Sequence, residues 1–175
     1  MRYKITFSYK GTNFHGYQKQ PGLRTVQDEV EKALTFINNG TPITITSSGR
    51  TDKGVHALGQ VAHFDLDLNI SLYKLKCAIN SNVSDDIHII NVEQVEDDFH
   101  ARYMVSEKKY IYKLNMGEFD VLQKDFIYQY NNQLDISKMK EGIKYFIGEH
   151  NFKNFVSNSV IKDSYVRIIY DAYIE

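Results

Sequence analysis

The stretch Ser48-Gly49-Arg50-Thr51-Asp52-Lys53-Gly54-Val55-His56-Ala57 is a charge-dense turn between two glycines, joining two apolar, strand-like runs. Asp52 lies between two cations, Arg50 and Lys53, which favour an ionised carboxylate and also attract a phosphate backbone. Gly49 and Gly54 permit backbone angles closed to other residues and let a ligand come close, while Arg50 offers a planar fork suited to phosphate or a base edge. An acid that merely caps its own turn is the plain alternative. With these neighbours, however, Asp52 reads as a nucleophile or base set beside an anion contact, and the turn as an active site. Gln18, Lys19, Arg24, Lys53, Arg102, Lys108 and Lys109 supply polar and basic groups for a phosphate-tracking patch, the other reading being a solvated surface. His56 and His63 lack carboxylate or thiolate partners at metal-ligand offsets, so no metal is expected.

The 175 residues are 42% hydrophobic, enough for a real core in one domain or one and a fraction. Basic and acidic residues number 21 and 22, a net charge of -1, so contact with nucleic acid must come from a local patch. The single cysteine, Cys77, excludes an intrachain disulfide and points to a reducing compartment. Met1 leads straight into an alternating run, leaving no space for a signal peptide, and no apolar run is long enough to span a bilayer. A cytoplasmic protein with no membrane association is expected.

The elements that must position the turn follow from periodicity. Arg2 to Tyr9 alternates apolar and polar residues as a half-buried strand and breaks at Lys10-Gly11-Thr12-Asn13. Thr25 opens a helix with Val26, Val30, Ala33, Leu34 and Ile37 on one face, stopped by Asn38-Asn39-Gly40. Ile43 and Ile45 mark a short strand into the charged turn, and Gln60 to Leu66 leaves it with Ala62, Phe64 and Leu66 on one side. Ser71 to Ile79 predicts a second helix and Ile87 to Val95 a further strand. This order predicts an α+β fold: a split β-α-β-β-α-β antiparallel sheet with helices on one face, in a catalytic half over residues 1–103. A partial second half over 104–175 is expected from a strand at Lys109 to Asn115, a helix at Asp135 to Ile147 and a strand at Val166 to Ile174. It holds too few elements for an independent half.

Gly49-Arg50-Thr51-Asp52-Lys53-Gly54-Val55-His56-Ala57 resembles the signature of the tRNA pseudouridine synthase A family, which presents its catalytic aspartate after Gly-Arg-Thr. The resemblance extends to Tyr9-Lys10-Gly11-Thr12-Asn13-Phe14-His15-Gly16-Tyr17-Gln18, with Tyr17 where tryptophan is usual, and to Thr25-Val26-Gln27 and Gly59-Gln60-Val61-Ala62-His63-Phe64. Asp97-Asp98-Phe99-His100-Ala101-Arg102-Tyr103 and Lys109-Tyr110-Ile111-Tyr112 follow in the family's order. It implies isomerisation of uridine to pseudouridine in the anticodon stem-loop of tRNA, without redox cofactor or metal, by a homodimer. By this resemblance Asp52 is the catalytic carboxylate, attacking C1′ or removing a ribose proton. Arg50 fills the space left by the extruded base, and Tyr110 stacks on that base, a contact of about 1–3 kcal/mol. Gln18 and Lys53 complete the expected substrate contacts.

Members of the family continue past the position of Glu175, through a segment whose arginine pairs with the catalytic aspartate. No counterpart of it occurs here, so the resemblance implies a C-terminally shortened chain. A catalytically inactive RNA-binding fragment is the alternative, since split βαβ sheets with exposed aromatics also bind single strands without chemistry.

Overall fold

The computed structural model describes residues 1–156 and 164–175. It divides into two compact units, Met1–Ile111 and Tyr112–Glu175. The first contains β1 (Arg2–Tyr9), α1 (Val26–Ile37), β2 (Thr46–Ser47), β3 (Ala57–Asp65), α2 (Leu72–Asn80) and β4 (Ile87–Val95). The strands form one antiparallel sheet in the order β2-β3-β1-β4, with β1 central; Ile5 lies opposite Ala62 on one side and Val92 on the other.

Alternation decides which face of β1 is buried. Tyr3, Ile5, Phe7 and Tyr9 join a single core with Val26, Val30 and Leu34 of α1, Leu75 and Ile79 of α2, and Phe64 and Ile89 of the neighbouring strands. Lys4, Thr6 and Ser8 point the other way. Thr25 opens α1 as the sequence predicts, its Oγ1 accepting from the Asp28 amide, and Ser71 Oγ caps α2 by accepting from the Lys74 amide. Pairing of β1 shifts register between Phe7 and Tyr9 against β3, and between Thr6 and Phe7 against β4. Such irregularities re-aim side chains, and these fall at the end of the sheet that carries the charged turn.

Ile43 and Ile45 do not form the expected strand; pairing starts one residue later, at Thr46. The cause is competition for their amides. The Ile43 N–H donates to Thr35 Oγ1 and the Ile45 N–H to the Glu31 carboxylate, both on α1. Glu31 is buried, yet it also receives Gln27 and Lys19, so no lone charge is left in the core.

The segment after β4 is pinned back onto the sheet. Arg2 makes a two-pronged bond to Asp65, at 2.8 and 2.9 Å, and donates to the carbonyls of Asp97 and Phe99. The Ala101 amide donates to Nδ1 of buried His63 at 3.1 Å, and the His100 ring stands 4.9 Å from that of His63. Accepting this bond requires an unprotonated Nδ1. Burial, then the charge of Arg2, then His100 push His63 below its ordinary value of 6.5, against the opposing pull of Asp65 and the Thr46 backbone. The unfolded chain therefore takes up a proton that the native state resists, and stability is lost as pH falls through 6.5 towards the lower native value. Urea unfolding between about pH 7.5 and about pH 5.5 should show this decline in the parent and a smaller one in His63→Gln; equal declines would remove His63 as its source.

The second unit contains β5 (Leu114–Asn115), β6 (Tyr128–Gln129), α3 (Ile136–Gly142), β7 (Gly148–Asn151) and β8 (Val166–Ile169). β5 pairs with β6 in parallel and β7 with β8 antiparallel. The expected strand from Lys109 is thus reduced to Leu114–Asn115, the helix from Asp135 passes into a tight 3-10 turn at Ile143–Phe146, and the last strand ends at Ile169. Sequence reading also missed β6 and β7. Among the described residues none beyond Ala101 is buried, so alternation here has no apolar surface to pack against and long ladders do not form. Together the two units make a mixed α+β chain.

Candidate active site

The charged turn is framed from below by a network of hydrogen bonds. At its start the Ser48 amide donates to the Val61 carbonyl at 2.8 Å, continuing the edge pairing of β2 with β3. The Gly49 carbonyl receives both Ser47 Oγ and Gln60 Nε2, each at 2.9 Å. Ser48 Oγ donates to Gln60 Oε1 at 2.8 Å, and Lys108 Nζ to the Ser48 carbonyl at 2.7 Å. Thr51 is held twice, by the Tyr17 amide on its carbonyl (3.0 Å) and by the Tyr9 hydroxyl on its Oγ1 (2.8 Å). Burial pushes the Tyr9 phenol up, and its bonds with Thr51 and Gln60 offset part of the rise.

The loop after β1 closes onto the far side. The Gly11 amide donates to His56 Nδ1 at 3.1 Å, and a Cβ at Gly11 would stand 2.0 Å from the Val55 carbonyl oxygen. Gly16 has φ +88° and leaves a Cβ only 3.0 Å from the Thr51 oxygen, so both glycines are demanded by close approach. Tyr17 is buried beneath the turn. Burial pushes the Tyr17 phenol well above its usual range, and the Ser47 side chain offsets part of the rise.

On this frame Arg50, Asp52 and Lys53 are all exposed. Among the described residues no ion pair or hydrogen bond engages the Asp52 carboxylate. The carboxylate keeps its water and faces solvent. Gln18 is exposed and follows Tyr17, whose backbone touches the turn. Tyr110 is 71% exposed, two residues beyond Lys108, the residue that ties its segment to Ser48.

The basic patch divides on inspection. Lys19 is paired with Asp28 and Glu31, and Arg24 with Glu29 and Asp86 while lying 4.3 Å over the Phe14 ring. Both are thus engaged by acidic side chains of the fold. The cleft that they line with Pro21, Leu23 and Lys32 does not include Asp52 in its walls. Arg102 is exposed.

Gln60 and Tyr9 went unassigned from sequence. One signal for Gln60 was available: it shares the inward parity of Ala62, Phe64 and Leu66, and a polar residue in such a row must find partners. Among the described residues no cluster of three acids, histidines or cysteines is suited to a metal ion, and no helix is long and apolar enough to cross a membrane.

The frame and its turn fall inside a region shared with known proteins. The tRNA pseudouridine synthase family model matches residues 5–104. tRNA pseudouridine synthase A of Listeria monocytogenes serotype 4a is 49% identical over 170 residues, which cover 97% of this chain and 68% of the relative. The Streptococcus mutans synthase A is 43% identical over 176 residues, 100% of this chain and 71% of the relative, and a Bacillus cereus synthase A 1 is 43% identical over 171, or 97% and 69%. With more than half its length inside the family match and nearly half its residues shared with one such relative, this chain belongs to the tRNA pseudouridine synthases, which are isomerases.

Proposed function

We propose that this chain converts uridine to pseudouridine in the anticodon stem-loop of tRNA, with Asp52 as the catalytic carboxylate. One observation carries the reading: a solvent-facing carboxylate on a turn whose flanks are held at Ser48, Gly49 and Thr51. The reaction breaks the bond from C1′ to N1 of uracil, turns the base, joins C1′ to C5 and releases the C5 hydrogen as a proton while N1 takes up a proton. Substrate and product are isomers, so no redox cofactor is needed. Asp52 attacks C1′ or removes a ribose proton, and either role needs a carboxylate held at one place before the base leaves its stack. Arg50 occupies the vacated stack, Tyr110 holds the uracil ring, and Gln18 and Lys53 contact the RNA backbone.

In this proposal the sheet of the first unit is a split β-α-β-β-α-β fold. Residues 1–103 form the catalytic half and 104–175 a partial second half. The enzyme works in the cytoplasm as a homodimer. A second reading, RNA binding without turnover, draws on the second unit, which exposes Tyr112, Tyr128, Tyr145 and Tyr170 and has no buried side chain among its described residues. Tritium release from tRNA carrying C5-tritiated uridine separates the two. Release in step with pseudouridine formation is expected; a folded chain that binds tRNA and releases none would leave only the second reading.

A further inference from the structure

We propose that Gln60 is a positioning residue for the Asp52 turn, an inference that rests on the proposed function only for its effect on turnover. Gln60 is 8% exposed, on β3, and its amide meets two consecutive residues, Ser48 and Gly49, at the start of the turn. Nε2 donates to the Gly49 carbonyl while Oε1 accepts from the Ser48 hydroxyl and the Val61 amide. A neutral group with a donor and an acceptor a fixed distance apart is what this spot requires. Leucine would leave the Gly49 carbonyl with Ser47 alone and the Ser48 hydroxyl without its acceptor, and glutamate would keep the acceptor but offer no N–H. Its bonds into the turn reach the Ser48 hydroxyl and the Gly49 carbonyl and come no nearer to Asp52 than three residues, so Gln60 acts through the turn and not on the RNA.

The test compares the parent with Gln60→Leu and Gln60→Glu by amide hydrogen exchange and by single-site tRNA turnover. The Ser48 and Tyr17 amides, bonded to Val61 and Thr51, report on the two sides of the turn. They should exchange at least about tenfold faster in both variants while β1 amides keep their protection. The turnover number should fall about 100-fold with KM for tRNA within about twofold, as for a displaced reacting group. Unchanged exchange at Ser48 and Tyr17, or equal acceleration across the whole sheet, would overturn the inference. A parent without tritium release would instead overturn the functional reading, and exchange alone would then decide Gln60.

Discussion

Asp52→Asn is expected to lose turnover by at least about 10³-fold, the range in which removal of a group that reacts with substrate falls. The fold and tRNA affinity should stay close to those of the parent. The amide is nearly the same size and sits where the carboxylate meets water, with no ion pair to lose among the described residues. It can neither attack C1′ nor take a ribose proton. Tritium release, tRNA binding and thermal unfolding measured on one preparation give the three readouts. Turnover near the parent rate would remove Asp52 from the chemistry, and loss of binding or folding in parallel would make it a structural acid.

Gly11→Ala should be the most damaging small change outside the core. The added methyl would meet the Val55 oxygen at 2.0 Å, the Val55 carbon at 2.6 Å and the Gly54 carbon at 2.9 Å, all main-chain atoms that cannot rotate aside. Overpacking of this kind costs about 3 kcal/mol, the upper end of the usual range. The turn should be displaced with it, because the Gly11 amide also holds His56. Gly22→Ala is the control: its φ of +71° imposes strain of about 1 kcal/mol, but nothing lies within 4 Å of the new methyl. Equal urea midpoints for the two variants would show that the loop yields without cost and that the interlock is not structural.

The first unit was readable because one core serves every element in it. Alternation in Arg2–Tyr9 and in Ile87–Val95 corresponds to strands with those bounds, and α1 and α2 begin one residue after their capping residues. Ile43 and Ile45 carry strand-like side chains, but their amides are claimed by Thr35 and Glu31, a competition that no local pattern displays. Tyr110 and Tyr112 alternate equally well, yet they are 71% and 87% exposed, and without a surface to bury them alternation specifies little. At the site, charge density exposed the turn itself. Its supports were hidden because they reach it from Tyr9 and Lys108, 42 and 60 residues away from Thr51 and Ser48.

Arg2–Tyr9, one of the two inner strands of the four-stranded sheet, is also the first of the four to be synthesised. Its partners, Ala57–Asp65 and Ile87–Val95, are made later, so Tyr3, Ile5, Phe7 and Tyr9 leave the ribosome before the strands that flank them. Completion of the sheet waits for the last of these strands, whose pairing with the first is long-range. Trimming the first ten residues would accordingly part the sheet down its centre, leaving two edges that have no bond to one another.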